Sequence, residues 1–161
     1  MVLFDGDIVL TKAQRRSIMS EGGIYSYSAM EGVRWPDGII PYEIVDKTNS
    51  ENTSEYRFKD FNTMQREIIT NATKLFNSLT CVKFVKREMH HEYYTKIVNE
   101  LKYDSSTNKW TEKHCSSSVG RNYFAKSGVD HKSIYGFHHQ SLNLATHCFL
   151  PGNSGLGPIG T

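Results

Sequence analysis

The apolar residues Phe61, Met64, Ile68, Ala72, Leu75 and Leu79 recur at steps of three and four between Lys59 and Leu79. That period predicts an amphipathic α-helix of roughly five turns, with Asp60 at its capping position. Its apolar stripe needs a second layer to cover it, and the flanking sequence offers strands. In "RWPDGIIPYEIV", Ile40, Tyr42 and Ile44 alternate behind a Pro-Asp-Gly turn. "CVKFVKR", "YTKIVNE" and residues 140–145 read as further strands, whereas "KYDSSTNKWTEKHCSSSVGRN" reads as loop. The order predicts an α+β fold, one long helix packed on a twisted mixed sheet. Upstream, "LTKAQRRSIM" reads as a short helix with Thr11 and Gln14 in capping-box spacing, and Gly22-Gly23 as a linker. The tail "LPGNSGLGPIGT" consists of turn formers without a closing element.

The remaining composition narrows the function classes. A net charge of +2 with scattered basic residues supplies no patch for nucleic acid. No apolar run approaches the ~20 residues of a membrane-spanning helix. "MVLFDGDIVL" has no basic start and meets an acid after four residues, so it is not a signal peptide. Cys81, Cys115 and Cys148 form no C-x-x-C pair, and their odd number fits either buried thiols or a disulfide set lacking one partner. The tripeptides Asn52-Thr53-Ser54 and Asn71-Ala72-Thr73 are glycan acceptors only if the chain is secreted.

"RWPDGIIPY" resembles the W-P-x-x-x-x-P-Y signature that opens catalytic domains of the astacin family of zinc metalloendopeptidases. "LTCVKFVKR" is similar to that family's cysteine-bearing second strand, "HCSSSVGR" to its C-x-S-x-V-G-R turn, and "QSLNLATHC" to its Q-x-x-x-L strand before a further cysteine. "FDGDIVLT" resembles the F-x-G-D propeptide motif, and these matches follow the family's order over roughly residues 3–148. The resemblance implies the N-terminal subdomain of a metzincin, or zincin-like, fold. Residues 1–27 would be the propeptide end and residues 28–161 an incomplete catalytic domain whose C-terminal subdomain is missing.

Asp7 would then be the inhibitory zinc ligand, filling the open coordination position where a metal-activated water would attack. Gly6 would admit the backbone close to the cleft, and Phe4 would anchor the segment. The resemblance also implies a Cys115–Cys148 disulfide, with Cys81 unpaired because its partner lies downstream. The family's H-E-x-x-H-x-x-G-x-x-H helix is absent from these 161 residues. "HHEYYT" fails as a substitute because the residue four after His91 is Thr95. His138 and His139 are neighbours, which point to opposite faces of a strand. No catalytic residue is therefore present, and no zinc is expected on this chain.

In the family an extended substrate adds antiparallel to an edge strand, and Gln140, Ser141, Leu142, Asn143 and Leu144 are the expected counterpart. The junction for maturation falls around Tyr27, Ser28 and Ala29, where no arginine stands; Arg16 and Arg34 are the nearest basic residues. The expected whole is a secreted zymogen of a zinc endopeptidase acting on peptides or proteins, inactive as this chain stands. The alternative is a secreted non-catalytic peptide-binding or decoy domain using the edge strand from Gln140 to Ala145. An unrelated extracellular α+β adhesion module is the remaining reading. Oligomeric state is not legible.

Overall fold

A computed structural model describes residues 8–9, 34–46, 57–118, 120–121 and 138–150. Phe4, Gly6, Asp7, the helix expected at 10–19, Gly22-Gly23, the junction at 27–29, Asn52 and the tail beyond 150 lie outside them.

Pro36–Gly38 forms a 3-10 turn whose Gly38 amide donates to the Trp35 carbonyl at 3.1 Å. Gly38 sits at φ +68, and a Cβ there would stand 2.9 Å from the Cys81 carbonyl oxygen. Both the left-handed backbone and the close approach require glycine. The turn launches strand β2 (Ile39–Ile44), which pairs in parallel with β4 (Lys83–Lys86) and with β5 (Tyr93–Val98).

Helix α1 (Thr63–Leu79) connects β2 to β4. Its cap is Asn62, not Asp60: the Asn62 carboxamide oxygen accepts from the Gln65 amide at 2.9 Å, and the Gln65 side chain accepts from the Asn62 amide at 3.0 Å. This reciprocal pair is a capping box, which satisfies two orphan amides at once and outcompetes the acid two residues earlier.

The packed face of α1 also differs from the expected stripe. Gln65, Ile69 and Thr73 are buried together with Phe61, whereas Met64, Leu75 and Leu79 are exposed. Burying these two polar residues costs little because their groups are satisfied locally. Gln65 belongs to the capping box, and the Thr73 hydroxyl donates to the Thr70 carbonyl at 2.8 Å.

The larger sheet runs β1-β8-β9-β5-β2-β4, with β1 at Ile8–Val9, β8 at Ser116–Ser118 and β9 at His138–Asn143. Strands β9, β5, β2 and β4 run parallel to one another, while β8 runs antiparallel to β9. Strand β9 is therefore not an edge. β5 takes one side of it from Tyr93↔His138 to Val98↔Asn143, and β8 takes the other through Ser116↔Asn143 and Ser117↔Leu142. Leu144 and Ala145 lie beyond it, buried in the core.

A second, three-stranded antiparallel sheet orders β3 (Arg57–Phe58), β6 (Glu100–Asp104) and β7 (Lys109–Glu112). The β6–β7 hairpin corrects the loop expected there. Asp104 shapes its turn, accepting from the Ser106 amide at 2.9 Å and the Thr107 hydroxyl at 2.8 Å, and Asn108 takes φ +56. The chain passes from one sheet to the other through Asn99, fully buried between β5 and β6.

Phe61, Ile69, Ile97, Leu144 and Ala145 form the core with Cys115 and Cys148, and Tyr42, Ile44, Leu142 and Phe149 pack against it. β5 is buried at four of its six positions because it lies in the interior of the larger sheet. Among the described residues the structure is thus α+β, a mixed sheet with one α-helix.

Candidate functional site

β8 lies between β9 and β1 in the larger sheet, and several groups hold it there. Cys115, just before β8, is disulfide-bonded to Cys148 with a Cα–Cα distance of 6.0 Å. Asn143 is 3% exposed; its Nδ2 donates to the His114 carbonyl at 2.6 Å, and its Oδ1 accepts from the Glu100 amide at 2.8 Å. Gln140 Nε2 donates to the Gly120 carbonyl at 2.8 Å, just past β8, where Gly120 turns the chain at φ +64. The Arg121 guanidinium stands 4.8 Å from the Tyr93 ring centre, and burial lowers its pKa.

Two of the expected substrate-strand residues, Gln140 and Asn143, thus brace β8 and its flank from inside the sheet. Ser141 is exposed, Leu142 half-buried and Leu144 buried, so the five do not make one ligand-facing row. The residues that sequence reading missed are Ser116, Ser117 and Ser118. Three serines show no apolar alternation, so the period-two signal is silent.

The outer side of β8 is occupied. β1, from the "FDGDIVLT" segment, pairs with it in parallel through Ile8↔Ser117 and Val9↔Ser118.

A polar node braces the opposite end of this corner. Glu112 on β7 accepts from the Thr146 amide at 2.8 Å, from the Thr146 hydroxyl at 2.7 Å and from the Lys59 ammonium. Burial by itself would raise the Glu112 carboxyl; hydrogen bonds from Lys59 and Thr146 outweigh it and hold the group at about 2. The node ties the small sheet to the 3-10 turn Thr146–Phe149 that carries Cys148. On the larger sheet Glu43 pairs with Arg87 at 3.0 Å, and the Arg87 guanidinium lies 3.8 Å from the Tyr94 ring centre.

Among the described residues, Cys115, His147 and Cys148 bring potential metal-ligand atoms within 4.8 Å of one another, and His147 Nε2 is 3.3 Å from the Cys115 sulfur. They do not fit a catalytic zinc, because both sulfurs are bonded to each other and lie in the core. His90 and His91 sit at a turn, where His91 Nδ1 accepts from the Glu88 amide at 2.9 Å. His139 packs against the Tyr94 ring. Cys81 is an exposed free thiol.

No family model matches the chain. The zinc metalloproteinase nas-39 of Caenorhabditis elegans is 28% identical over 109 residues, which cover 66% of this chain and 10% of that protein. The chain thus matches about a tenth of the length of this curated relative. The similarity indicates a relationship to zinc metalloproteinases, in keeping with an α+β subdomain of that kind.

Proposed function

We propose that this chain is the propeptide end and N-terminal subdomain of an astacin-like zinc endopeptidase precursor, with β8 as the substrate edge. The carrying observation is the parallel pairing of Ile8 and Val9 with Ser117 and Ser118. A substrate adding antiparallel to β8 would use the same outward backbone groups. A segment running the other way occupies those groups while presenting its peptide bonds in reverse order. Cleavage of the inhibitory segment is thereby disfavoured as long as it stays docked.

Asp7 immediately precedes this paired dipeptide, which supports its assignment as the inhibitory zinc ligand by resemblance. The zinc itself would need a ligand set that these 161 residues do not carry, so hydrolysis by the chain alone is not expected. In the intact enzyme the metal would supply an activated water for attack on the peptide bond. The part played here is binding and positioning: β8 aligns the peptide, and Gln140, Asn143 and the disulfide hold β8. The disulfide supports passage through an oxidising compartment and hence secretion.

The test compares the 161-residue chain with the same chain extended by its natural downstream sequence, each assayed for peptide hydrolysis and bound zinc. The short chain should be inactive. The extended one should hydrolyse peptides only after residues 1–27 are removed, or before removal when Asp7→Ala is present. Chelator-sensitive hydrolysis by the short chain would defeat the proposal. An extension that binds peptides but neither zinc nor cleaves them would establish the decoy reading instead.

A further inference from the structure

Helix α1 buries Gln65, Ile69 and Thr73 but leaves part of its apolar arc exposed. Met64 is 61% exposed and Leu75 is 46% exposed, on the side turned away from Ile69 and Thr73. Asn71, the acceptor of the Asn71-Ala72-Thr73 tripeptide, is exposed in the same arc. At about 100° per residue, Met64, Asn71 and Leu75 fall within about 40° of one another around the helix. Along the axis Leu75 lies about 6 Å and Met64 about 10 Å from Asn71, at ~1.5 Å per residue.

We propose that Asn71 is an N-glycosylation site and that the first two N-acetylglucosamine units of its glycan cover Met64 and Leu75. Their pyranose C–H faces and acetamide methyl groups offer apolar surface of matching reach, and a covalently tethered cover pays no association entropy. The proposal rests on the secretory part of the functional reading. Mass analysis reads it out independently of any peptidase activity.

The donor is an oligosaccharide linked to a lipid diphosphate. Asn71 Nδ2 forms a bond to C1 of the first N-acetylglucosamine, and the bond from C1 to the diphosphate oxygen breaks. The lipid diphosphate leaves with that electron pair, and the amide proton passes to a base of the transferase. In the folded chain Thr73 is only 8% exposed and its hydroxyl already donates to the Thr70 carbonyl. A transferase needs that hydroxyl accessible, so transfer precedes the packing of α1.

The experiment secretes the 161-residue chain from eukaryotic cells behind a cleavable signal. Peptide N-glycosidase treatment in heavy-oxygen water should convert Asn71 to a labelled aspartate; Asn71→Gln should abolish the mark and Thr73→Ser should retain it. Secreted Asn71→Gln protein should then bind an apolar fluorescent dye several-fold more than the glycosylated protein. Adding Met64→Gln and Leu75→Gln should remove that difference. Unmodified Asn71 in the secreted chain overturns the proposal. Equal dye binding with and without the glycan overturns the covering role, as does dimerisation of the glycosylated protein that Met64→Gln abolishes.

Discussion

Replacing Glu112 with glutamine removes one charge from the node joining β7, Lys59 and Thr146 while keeping an acceptor for the Thr146 amide. The carboxyl is held at about 2 against an ordinary value of 4.5. At about 1.4 kcal/mol per pH unit, that depression bounds the charge's contribution at about 3 kcal/mol. Lys59 is 51% exposed, so solvent screening lowers the expected loss to about 1–2 kcal/mol. For a domain of this size the melting temperature should fall by about 3–6 °C.

The sign follows from linkage. A carboxyl whose folded pKa lies below its unfolded pKa contributes fully above the unfolded value, and the contribution disappears as pH falls through the folded one. The gap between the parent and Glu112→Gln should therefore be full above pH 4.5 and close towards pH 2. Asp104, also lowered to about 2 by hydrogen bonds from Ser106 and Thr107, is present in both proteins and cancels from the comparison. Denaturant unfolding of both at pH values from 7 to 2 measures the gap. A gap independent of pH, or none at neutral pH, would refute the electrostatic account of the node.

Other substitutions test separate parts of the fold. Asn62→Ala should cost about 1 kcal/mol by removing the helix cap, which thermal unfolding measures. Asn143→Ala leaves the Glu100 amide and His114 carbonyl without their side-chain partner, and should cost about 2–4 kcal/mol with faster amide exchange across β8. Gly38→Ala forces a Cβ towards the Cys81 carbonyl at a positive φ and should destabilise by more than about 1 kcal/mol in denaturant titration. Reducing the Cys115–Cys148 bridge, with its sequence separation of 33, should cost about 4 kcal/mol through regained unfolded-chain entropy; a refolding equilibrium with and without dithiol measures it.

Some of the fold was legible because local chemistry dictates it. The steps of three and four around Ile68 announced α1, and the alternation in "IIPYEI" announced β2. The face that α1 would bury was not legible. Hydropathy favours Met64 and Leu75, but Gln65 and Thr73 satisfy their polar groups within the helix and can go inward. The β6–β7 hairpin was hidden for a related reason, since its Asp-Ser-Ser-Thr-Asn turn dominates the composition of a segment whose strands are only five and four residues long.

The proposed substrate edge illustrates the same divide. A strand was legible at residues 140–145, two residues later than the His138–Asn143 of the structure, and the bridged cysteines were named by family resemblance. Which strand ends up outermost is a matter of neighbours that lie far away in sequence: β5 claims one side of β9, β8 claims the other, and the segment at Ile8–Val9 reaches across to β8. The amino-acid order by itself determined the helix, the principal strands and the glycine-requiring turn, because each follows from periodicity or backbone sterics within a few residues. Tertiary pairing alone decided that β9 lies inside the sheet and that Ile8–Val9 takes the outer side of β8, because a strand's neighbours come from segments far away in sequence.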